Sequence, residues 1–521
     1  MLSGSDLAGL NDFADKAVVL IGTGPANLGL AEVLTDSGIN TLLIEGGESD
    51  FSTRSQELYD GQSVGSYHLP YGLSGSRMRF LGGSSNCWAG GCGVLSDIDF
   101  KPRPWIPNSG WPISDADLTP YYEDAYGFFS LRTDYDALSE NPFSEFEARR
   151  LVFTNNLRLK DTKVSQLKAK KCFRLLVGYS LVGLEISANK LSRITLKGFD
   201  QYSFTLRPML LVLGCGGIEN ARILLNACAT SVNPSVFGSA LGKYFCEHPI
   251  APIATIIPAN DEAASVFKRF DASSVGLGGL GSIGKFFELP EKLQRNGETV
   301  NVALQVMSDQ QGLSEAQMAV AELRSLIKNG ALDEVSLDAL YKIVSNPVEV
   351  MDAVFARLMQ SGSRLSLRFQ SEQAPNQESC IQLSDERDAF GSFRSSLKWS
   401  MSDIERRSVE YAAACFASQI QSLGLGTILL DPFFSETSTG MPYDLRGGQH
   451  HCGTTRMGQD ERTSVVDSNC KCHNVENLFI IGSSVFPTNG WMNPTLTIVA
   501  LSKRLGRHLV TMLRPSALQP S

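Results

Sequence analysis

The sequence predicts an α/β fold in which a parallel sheet with an antiparallel meander is joined to an α+β domain whose sheet is covered by helices. Three observations predict this fold. The 521 residues give room for two or three domains. A strand, helix and strand pattern opens the chain at Lys16 to Glu45, and strand and helix patterns fill residues 250 to 445. The last residues, 445–521, would then return to complete the first domain.

The composition is that of a globular protein. Hydrophobic residues make up 43% of the chain and charged residues 19%, which excludes disordered, collagen-like and coiled-coil proteins. The net charge is -9, and the longest basic run is the short Lys168 to Arg174 segment, so we expect no nucleic-acid partner. The eleven cysteines are an odd number spread over a long chain, which favours reduced thiols over a disulfide scaffold.

Targeting signals are missing from the sequence. The N-terminus has no basic region followed by an apolar one, and no run reaches the roughly 18 apolar residues that a membrane span needs. The final SALQPS carries no anchor or retention signal. We expect a soluble, cytoplasmic protein without a membrane span.

The first informative pattern is the unit at the start of the chain. The apolar run Ala17 to Ile21 is followed by Gly22 and Gly24, by an amphipathic segment, and by a second apolar run that ends at Glu45. In a Rossmann-like dinucleotide-binding unit, Gly22 would make the tight turn and Gly24 would let the backbone approach a pyrophosphate at the helix N-terminus. Glu45 would accept hydrogen bonds from an adenosine ribose. The alternative is that both glycines serve only as turn residues.

Two features limit what this unit specifies. Asn27 occupies the third glycine position of the fingerprint, and the unit alone does not distinguish NAD from FAD. A second glycine-rich segment, Leu211 to Glu219, is not followed by a strand ending in an acid. We therefore interpret it as a later strand of the same sheet, which returns to the same dinucleotide.

Periodicity and capping signals predict the other elements. They are a helix capped near Ser114 or Asp115, an antiparallel meander in Phe173 to Leu213, helices in Leu313 to Met359, a strand at Arg364 to Gln370 and a long helix at Asp403 to Leu423. We assign 1–100, 201–250 and 445–521 to a dinucleotide-binding domain, and 101–200 and 251–444 to a substrate-binding and connecting domain.

The C-terminal segments carry the most specific pattern. Gln449 to Gly458 has the sequence QHHCGTTRMG, and Gly490 to Ala500 has the sequence GWMNPTLTIVA. Together with FLGGSS at Phe80 to Ser85 and GGIENAR at Gly216 to Arg222, they resemble the glucose-methanol-choline (GMC) family of FAD-dependent oxidoreductases. The chain is most similar to the bacterial sugar and polyol branch and to pyranose oxidase, through GWPISDADLTPYY, Glu372 to Asn376 and the NPTLT ending.

The resemblance implies a bound FAD and a set of residues that hold it. These are Gly22, Gly24, Pro25, Ala26, Glu45, Gly82, Gly83, Ser84, Ser85, Cys87, Gly482, Ser483, Asn493, Pro494 and Thr495. Members with a histidyl-flavin bond carry His where this chain has Cys87, so we expect FAD to be held non-covalently. Many members also have Asp at the position of Gly482.

The resemblance also assigns the catalytic pair. A histidine three residues before the glycine of the G-T motif is His450, and the residue before P-T-L-T is Asn493. Removing hydride from a carbinol carbon requires the hydroxyl proton to leave too, and an imidazole is a natural acceptor. An amide N–H can stabilise the developing alkoxide without competing for the proton.

Each of these assignments has a structural alternative. His450 could be a core histidine, with His451 as a rival base or a residue that faces the flavin, and Asn493 could cap the final helix. His248, in C-E-H-P, is interpreted as structural. The C-K-C segment at Cys470 and Cys472 lacks a second ligand pair, so no metal site is assigned.

The resulting prediction is an FAD-dependent enzyme that oxidises an alcohol group of a sugar, glycoside or cyclitol to a carbonyl by hydride transfer to flavin N5. The alternatives are oxidation of a non-carbohydrate secondary-metabolite alcohol and a lyase that keeps FAD without redox chemistry. Oxygen, a quinone and another protein all remain open as the electron acceptor.

Overall fold

A computed structural model describes residues 4–69, 71–131, 141–155, 158–271, 283–308, 365–430 and 445–514. The strands are β1 (Val18–Ile21), β2 (Thr41–Glu45), β3 (Gly61–Ser63), β4 (Gly91–Cys92), β5 (Glu147–Phe153), β6 (Phe173–Val177), β7 (Tyr179–Ser187), β8 (Lys190–Gly198), β9 (Ser203–Leu206), β10 (Leu210–Leu213), β11 (Pro249–Pro258), β12 (Ile283–Glu288), β13 (Val302–Ser308), β14 (Leu365–Ser371), β15 (Cys380–Arg387), β16 (Phe393–Lys398), β17 (Gly426–Leu430), β18 (Arg446–Gly447) and β19 (Leu478–Ile480). The α-helices are α1 (Gly4–Ala14), α2 (Pro25–Asp36), α3 (Thr53–Gln56), α4 (Gly72–Gly75), α5 (Asp97–Phe100), α6 (Thr119–Phe128), α7 (Ser165–Lys168), α8 (Gly216–Thr230), α9 (Asp261–Arg269), α10 (Glu291–Gly297), α11 (Asp403–Ser422) and α12 (Thr495–Leu513).

The first sheet is parallel throughout, with the strand order β19-β10-β1-β2-β6. Its inner strands are short apolar runs that are buried on both faces, as helix-covered parallel strands are. Helix α12 packs on α2, with Gly29 close to Val499 and Ser502. The predicted strand-helix-strand unit and the return of Leu211 to Glu219 to the same sheet are confirmed.

The strand order reverses between β1 and β10. β2 follows on one side of β1, whereas β10 and β19 lie on the other. Ligands of such open sheets bind outside the carboxyl ends of the strands at this switch point. The loops that begin at Gly22, Gly214 and Ile481 all leave the sheet there.

Asn27 takes over a structural role at the first turn. Its buried side-chain Nδ2 donates hydrogen bonds to the carbonyl oxygens of Ile21, at 2.7 Å, and Gly22, at 3.0 Å. The amide also fills the space next to Gly214, where a Cβ would lie 2.5 Å from Nδ2. Asn27, which stands at the third glycine position of the fingerprint, therefore stabilises the turn between β1 and α2.

The second sheet is antiparallel and forms the other half of the molecule. Its strands follow the order β17-β11-β14-β13-β12-β5-β4, and β18 pairs with β11. Helix α11 packs its buried apolar face on this sheet and begins at a Ser402–Glu405 capping box. The strand predicted near Arg364 to Gln370 and the helix predicted at Asp403 to Leu423 are confirmed. The helices predicted in Leu313 to Met359 lie outside the described residues.

Two smaller sheets complete the described structure. β7, β8 and β9 form the predicted antiparallel meander, but the preceding β6 joins the parallel sheet as its edge. β6 thus lies in the segment 101–200 that the sequence assigned to the connecting domain. β3 pairs with β16 of the β15–β16 hairpin and links the N-terminal segment to the middle of the chain. The exact bounds of the two domains remain a prediction.

Within the described ranges, no helix has the length and apolar character needed to cross a membrane.

Candidate active site

A cavity of about 920 Å³ lies at the switch point and extends between the two sheets. This volume is at the upper end of the range for ligand pockets. The parallel sheet contributes the loops after β1, β2 and β10 to its wall, and the antiparallel sheet contributes one face. His450 and Asn493 line the same cavity as Gly22, Gly24 and Glu45.

The turn between β1 and α2 leaves space for a ligand. Gly22 has a φ of 94°, and a Cβ there would lie 2.8 Å from the carbonyl oxygen of Gly214, so a side chain is excluded. Gly24 is different, because a Cβ at Gly24 would meet no protein atom within 4 Å. Gly24, Pro25 and Ala26 line the cavity at the N-terminus of α2, where backbone N–H groups attract phosphate.

Glu45 lies at the end of β2, where the sequence predicted it. Its buried carboxylate accepts hydrogen bonds from the Thr23 hydroxyl and from the backbone N–H of Gly47, at 2.7 Å. Each carboxylate oxygen can accept more than one bond, so Glu45 can still receive ribose hydroxyls.

The loop after Phe80 faces this turn. A Cβ at Gly83 would lie 3.5 Å from Cα of Gly24, and Gly83, Ser84, Ser85 and Cys87 line the cavity. Gly82 does not line it; its N–H donates to the hydroxyl of Thr23 at 2.8 Å and supports the loop from behind. Gly482, Ser483, Pro494 and Thr495 line the cavity as well.

Sequence reasoning missed a buried charge cluster beside Glu45. Arg77 and Arg79 line the cavity and lie 3.4 and 3.7 Å from the carboxylate of Glu219, which Arg222 also binds, at 2.8 Å. Burial alone would raise the pKa of Glu219, but the three arginines lower it to about 2. Nε of Arg79 is buried and has no hydrogen-bond partner among the residues that the structure describes, which leaves a donor for a ligand. The spacing of Glu219 and Arg222 on one helix was the available signal.

The backbone brings the predicted base to a second histidine. Cys246 and Cys452 form an antiparallel pair with two backbone hydrogen bonds, so His248 and His450 lie opposite each other two residues further on. Gly453 makes this pairing possible, because its φ is 86° and a Cβ would lie 2.1 Å from the carbonyl oxygen of Tyr244. The glycine that marks the motif thus fixes where His450 stands.

The hydrogen bonds of the two histidines specify their tautomers. Nδ1 of His248 lies 2.9 Å from Nδ1 of His450, and Nε2 of His248 lies 3.3 Å from the carbonyl oxygen of Asn489. A carbonyl only accepts, so Nε2 of His248 carries its proton and Nδ1 of neutral His248 accepts. His450 must then donate from Nδ1, which leaves its Nε2 unprotonated. Nε2 of His450 has no hydrogen-bond partner among the described residues.

The electrostatics keep these histidines neutral. Burial lowers the pKa of His450 well below its ordinary value, and the neighbouring His248 and His451 lower it further. Burial also lowers the pKa of His248 to about 4 and that of His451 to about 3. His450 is therefore neutral at neutral pH and has a free lone pair on Nε2, and its lowered pKa makes it a weaker base than a solvated histidine.

Glu247 contacts His248, His450 and His451. One carboxylate oxygen accepts the backbone N–H groups of His248 and His450, at 2.8 and 2.7 Å. The other lies 3.7 Å from Nε2 of His451, and neither atom has a hydrogen-bond partner among the described residues. Burial raises the pKa of Glu247 to about 7. His451 is itself 7% exposed and lines the cavity.

Asn493 is held by both sheets. Its Nδ2 donates to the carbonyl oxygen of Gly91, in β4, at 3.3 Å, and its Oδ1 accepts from Nε2 of Gln370, in β14, at 3.2 Å. These partners fix the orientation of the amide, because the Gly91 carbonyl can only accept. One N–H of Asn493 remains free of protein partners and available to a ligand.

Comparisons with known proteins agree with this arrangement. Residues 375–502 match the family model described as GMC oxidoreductase. This segment contains His450 and His451, Asn493 and the start of α12. The C-terminal part of the chain therefore carries a GMC oxidoreductase domain.

Curated relatives of this chain align with it over short segments. A 6'''-hydroxyparomomycin C oxidase from Streptomyces lividus is 40% identical over 15% of this chain and 13% of its own length. A pyranose 2-oxidase from Tricholoma matsutake is 42% identical over 12% of both chains, and a C-glycoside 3-oxidase from Microbacterium trichothecenolyticum is 32% identical over 23% of this chain and 22% of its own. The aligned segments therefore span less than a quarter of these relatives.

Solved structures match the fold of this chain over nearly its whole length. A pyridoxine 4-oxidase from Mesorbium loti covers 94% of this chain and 98% of its own, with 14% identity and a TM-score of 0.53. A fungal aryl-alcohol oxidase covers 96% and 99%, with 13% identity and a TM-score of 0.55. These likenesses show the fold alone.

The remaining wall of the cavity is the face of the antiparallel sheet. It presents long side chains, both polar and apolar. Those that line the cavity include Leu151, Phe153, Ile250, Phe286, Gln305, Met307, Arg368 and Gln370. The sequence predicted a strand at Arg364 to Gln370 but assigned none of these residues to the site. Alternation along β14 was the available signal, since Arg368 and Gln370 share one face.

Two cysteine features of the sequence concern a covalent flavin bond, at Cys87, and a metal site, at Cys470 and Cys472. Burial raises the pKa of the Cys87 thiol, which disfavours the reactive thiolate. Among the described residues, no group of three or more metal-binding side chains comes together.

Proposed function

We propose that this protein binds FAD and oxidises an alcohol group of a sugar, glycoside or cyclitol to a carbonyl. The observation that carries the proposal is the placement of His450, with an unprotonated Nε2, and Asn493 in the cavity that also holds the glycine turn of α2. The sugar and glycoside oxidases among the relatives support a carbohydrate-like alcohol as substrate.

The cavity fits FAD by its own geometry. The open space at Gly24, the backbone at the start of α2 and the Glu45 carboxylate suit the ADP half, and the unpartnered Nε of Arg79 provides a further buried donor. The loop from Gly83 to Cys87 and residues Gly482 to Ser483 and Asn493 to Thr495 would hold the rest. When bound, FAD supplies the acceptor for the hydride, at flavin N5.

The protein residues then move one proton and stabilise one charge. Nε2 of His450 accepts the hydroxyl proton while the carbinol hydrogen leaves as hydride, so the alcohol loses two hydrogens and becomes a carbonyl. The free N–H of Asn493 donates to the substrate oxygen as negative charge develops on it. Before the proton transfer, His248 accepts from Nδ1 of His450 and so keeps Nε2 of His450 in the accepting form.

Anaerobic mixing of the FAD-loaded protein with a panel of sugars, glycosides and cyclitols tests the proposal. We expect at least one of them to bleach the flavin absorbance, and the His450→Ala holoprotein with equal FAD content to respond far more slowly. If only non-carbohydrate alcohols bleach the flavin, the carbohydrate assignment is wrong. If no alcohol does so, the non-redox lyase becomes the better hypothesis.

Acid precipitation tests the mode of attachment. We expect the yellow colour to remain in the supernatant, because the Cys87 thiol is disfavoured as a bond former. Colour retained in the pellet would indicate a covalent link.

A further inference from the structure

Arg368 is a charged side chain in the substrate half of the cavity. It lies on β14, directly opposite Gln305 on β13, and both side chains line the cavity. Nη2 of Arg368 donates to Oε1 of Gln305 at 2.5 Å. Nε is buried and has no hydrogen-bond partner in the part of the chain that the structure describes.

This arginine differs from Arg77 and Arg79, which also line the cavity. Arg77 and Arg79 share Glu219, and Arg103 makes two hydrogen bonds to Glu372. No carboxylate of the described residues lies within ion-pairing distance of Arg368, and burial without a compensating charge lowers its pKa. An arginine stays protonated in proteins, so a positive charge with unused donors faces the cavity.

Its position relates this charge to the reacting atoms. Arg368 and Gln370 are two residues apart on one strand and therefore share a face, about 6.6 Å apart along β14. Gln370 is the residue that binds the Oδ1 of Asn493. From this spacing we expect the guanidinium to lie about one sugar ring from the point where the substrate hydroxyl would be held.

We propose that the substrate alcohol carries an anionic oxygen group, a carboxylate or a phosphate, which Arg368 binds about one sugar ring away from the carbon that is oxidised. The inference rests on the proposed function, because it places the oxidised carbon at His450 and Asn493. The guanidinium fork matches such groups and binds them with charge-assisted hydrogen bonds. An acidic sugar, such as a hexuronic acid or its glycoside, has the required chemistry.

The test compares three sugars that differ at one position: glucose, glucuronate and glucose 6-phosphate. Anaerobic flavin reduction of the holoprotein gives the limiting rate and the apparent dissociation constant for each. We expect the wild type to bind one of the two acidic sugars about 10- to 100-fold more tightly than glucose. Whichever of the two acidic sugars binds more tightly shows whether the site prefers a carboxylate or a phosphate.

Variants assign the preference to Arg368. Arg368→Gln should weaken binding of the acidic sugar by about 10- to 100-fold while leaving that of glucose within about twofold, and Arg368→Lys should retain part of the preference. Arg407→Gln is the control, since it removes one positive charge from the exposed face of α11. FAD content should be equal in all four proteins.

Several outcomes would overturn the inference. They are a wild type that binds glucose more tightly than either acid, an equal loss for acidic and neutral sugars in Arg368→Gln, and loss of FAD in that variant. If no alcohol reduces the flavin, the proposed function fails by itself. The anion site is then tested by adding glucuronate or glucose 6-phosphate and recording the flavin spectrum. We expect a spectral change in the wild type and none in Arg368→Gln. If the wild-type spectrum does not change, the site is rejected.

Discussion

The parallel sheet meets the cavity with backbone and small residues, whereas the antiparallel sheet meets it with long side chains. On the parallel side, Gly24 leaves open space and the charges of Arg77 and Glu219 are largely balanced within the protein. On the antiparallel side, Arg368 keeps a free charge and Gln370 orients Asn493. The first wall suits a ligand that is the same in every turnover, and the second suits a ligand that must be told apart from others.

Because the two walls differ, substitutions in them should impair the protein in two different ways. A change in the parallel wall should remove the cofactor, and a change at the junction of the walls should leave the cofactor bound but slow its reduction. The ratio of bound flavin to protein and the rate of anaerobic flavin reduction therefore report on different walls.

Gly24→Val should have the largest effect, a complete loss of FAD. A Cβ at this position would meet no described atom within 4 Å, so we expect the fold to survive, but the side chain would occupy the space where we expect the pyrophosphate. Gly127→Val is a matched control, because Gly127 is exposed on α6 and its Cβ also meets nothing within 4 Å. Flavin content is read from the absorbance of the purified proteins. Equal flavin in both variants would reject the glycine turn as the cofactor site.

His450→Ala should bind FAD normally and reduce it about 100- to 10,000-fold more slowly, because the general base is lost. Raising the pH should restore part of the rate, since substrate ionisation replaces the base. His451→Ala is the matched neighbour and should be much less affected. If flavin reduction is slow in His451→Ala and fast in His450→Ala, the base is His451 rather than His450.

Asn493→Ala should slow flavin reduction about 100- to 1,000-fold, as expected for loss of one donor to a developing oxyanion. High pH should not rescue this variant, because what it lacks is charge stabilisation. Pre-steady-state reduction measured from pH 6 to 10 separates it from His450→Ala. A rate that recovers with pH relative to the wild type at the same pH would show that Asn493 does not act as the donor.

His248→Ala should slow reduction by about 10- to 100-fold, the usual size of effect for the partner that orients a functional histidine. Without its acceptor, His450 can place the proton on Nε2 and lose the accepting form. His248→Asn keeps a side-chain acceptor and should recover part of the rate, with the apparent substrate affinity unchanged in both variants. A purely structural role for His248 predicts equal losses in the two variants.

Glu247→Gln should give the smallest change, and it should appear in the pH profile. Burial raises the pKa of Glu247 to about 7, so the carboxyl is neutral below that pH and ionised above it. The negative charge favours the imidazolium that forms at His450, so the wild-type rate should rise through pH 7 by on the order of tenfold. The glutamine variant should show no such rise. A wild-type profile that is flat between pH 6 and 8 would contradict this role.

The parts of the site that could be predicted are those encoded by local sequence. The turn at Gly22 and Gly24 depends on a strand, a helix and their spacing, all of which lie within Lys16 to Glu45. His450 and Asn493 were reached through motif spacing, and the structure places both in the cavity wall. Their catalytic roles remain predictions.

The residues that were missed depend on register. His248 was interpreted as structural because its partner is 202 residues away, and only the Cys246–Cys452 pairing brings the two rings together. Arg368 fell within a predicted strand, but nothing local shows which neighbour faces it. Gly82 was expected to bind the cofactor and instead supports the loop through Thr23, a contact between two distant turns.

The strand order of the parallel sheet also affects how the protein is made. β10 pairs with β1 on one side and, on the other, with β19, which lies at residues 478–480. At about 5–20 residues per second, the ribosome needs roughly 10 to 50 s to pass from β10 to β19. Throughout this interval the outer edge of β10 lacks its native neighbour, and an unpaired apolar strand edge is a site of aggregation. The nascent chain must therefore depend on chaperones, or on slow collapse, until its last strand arrives.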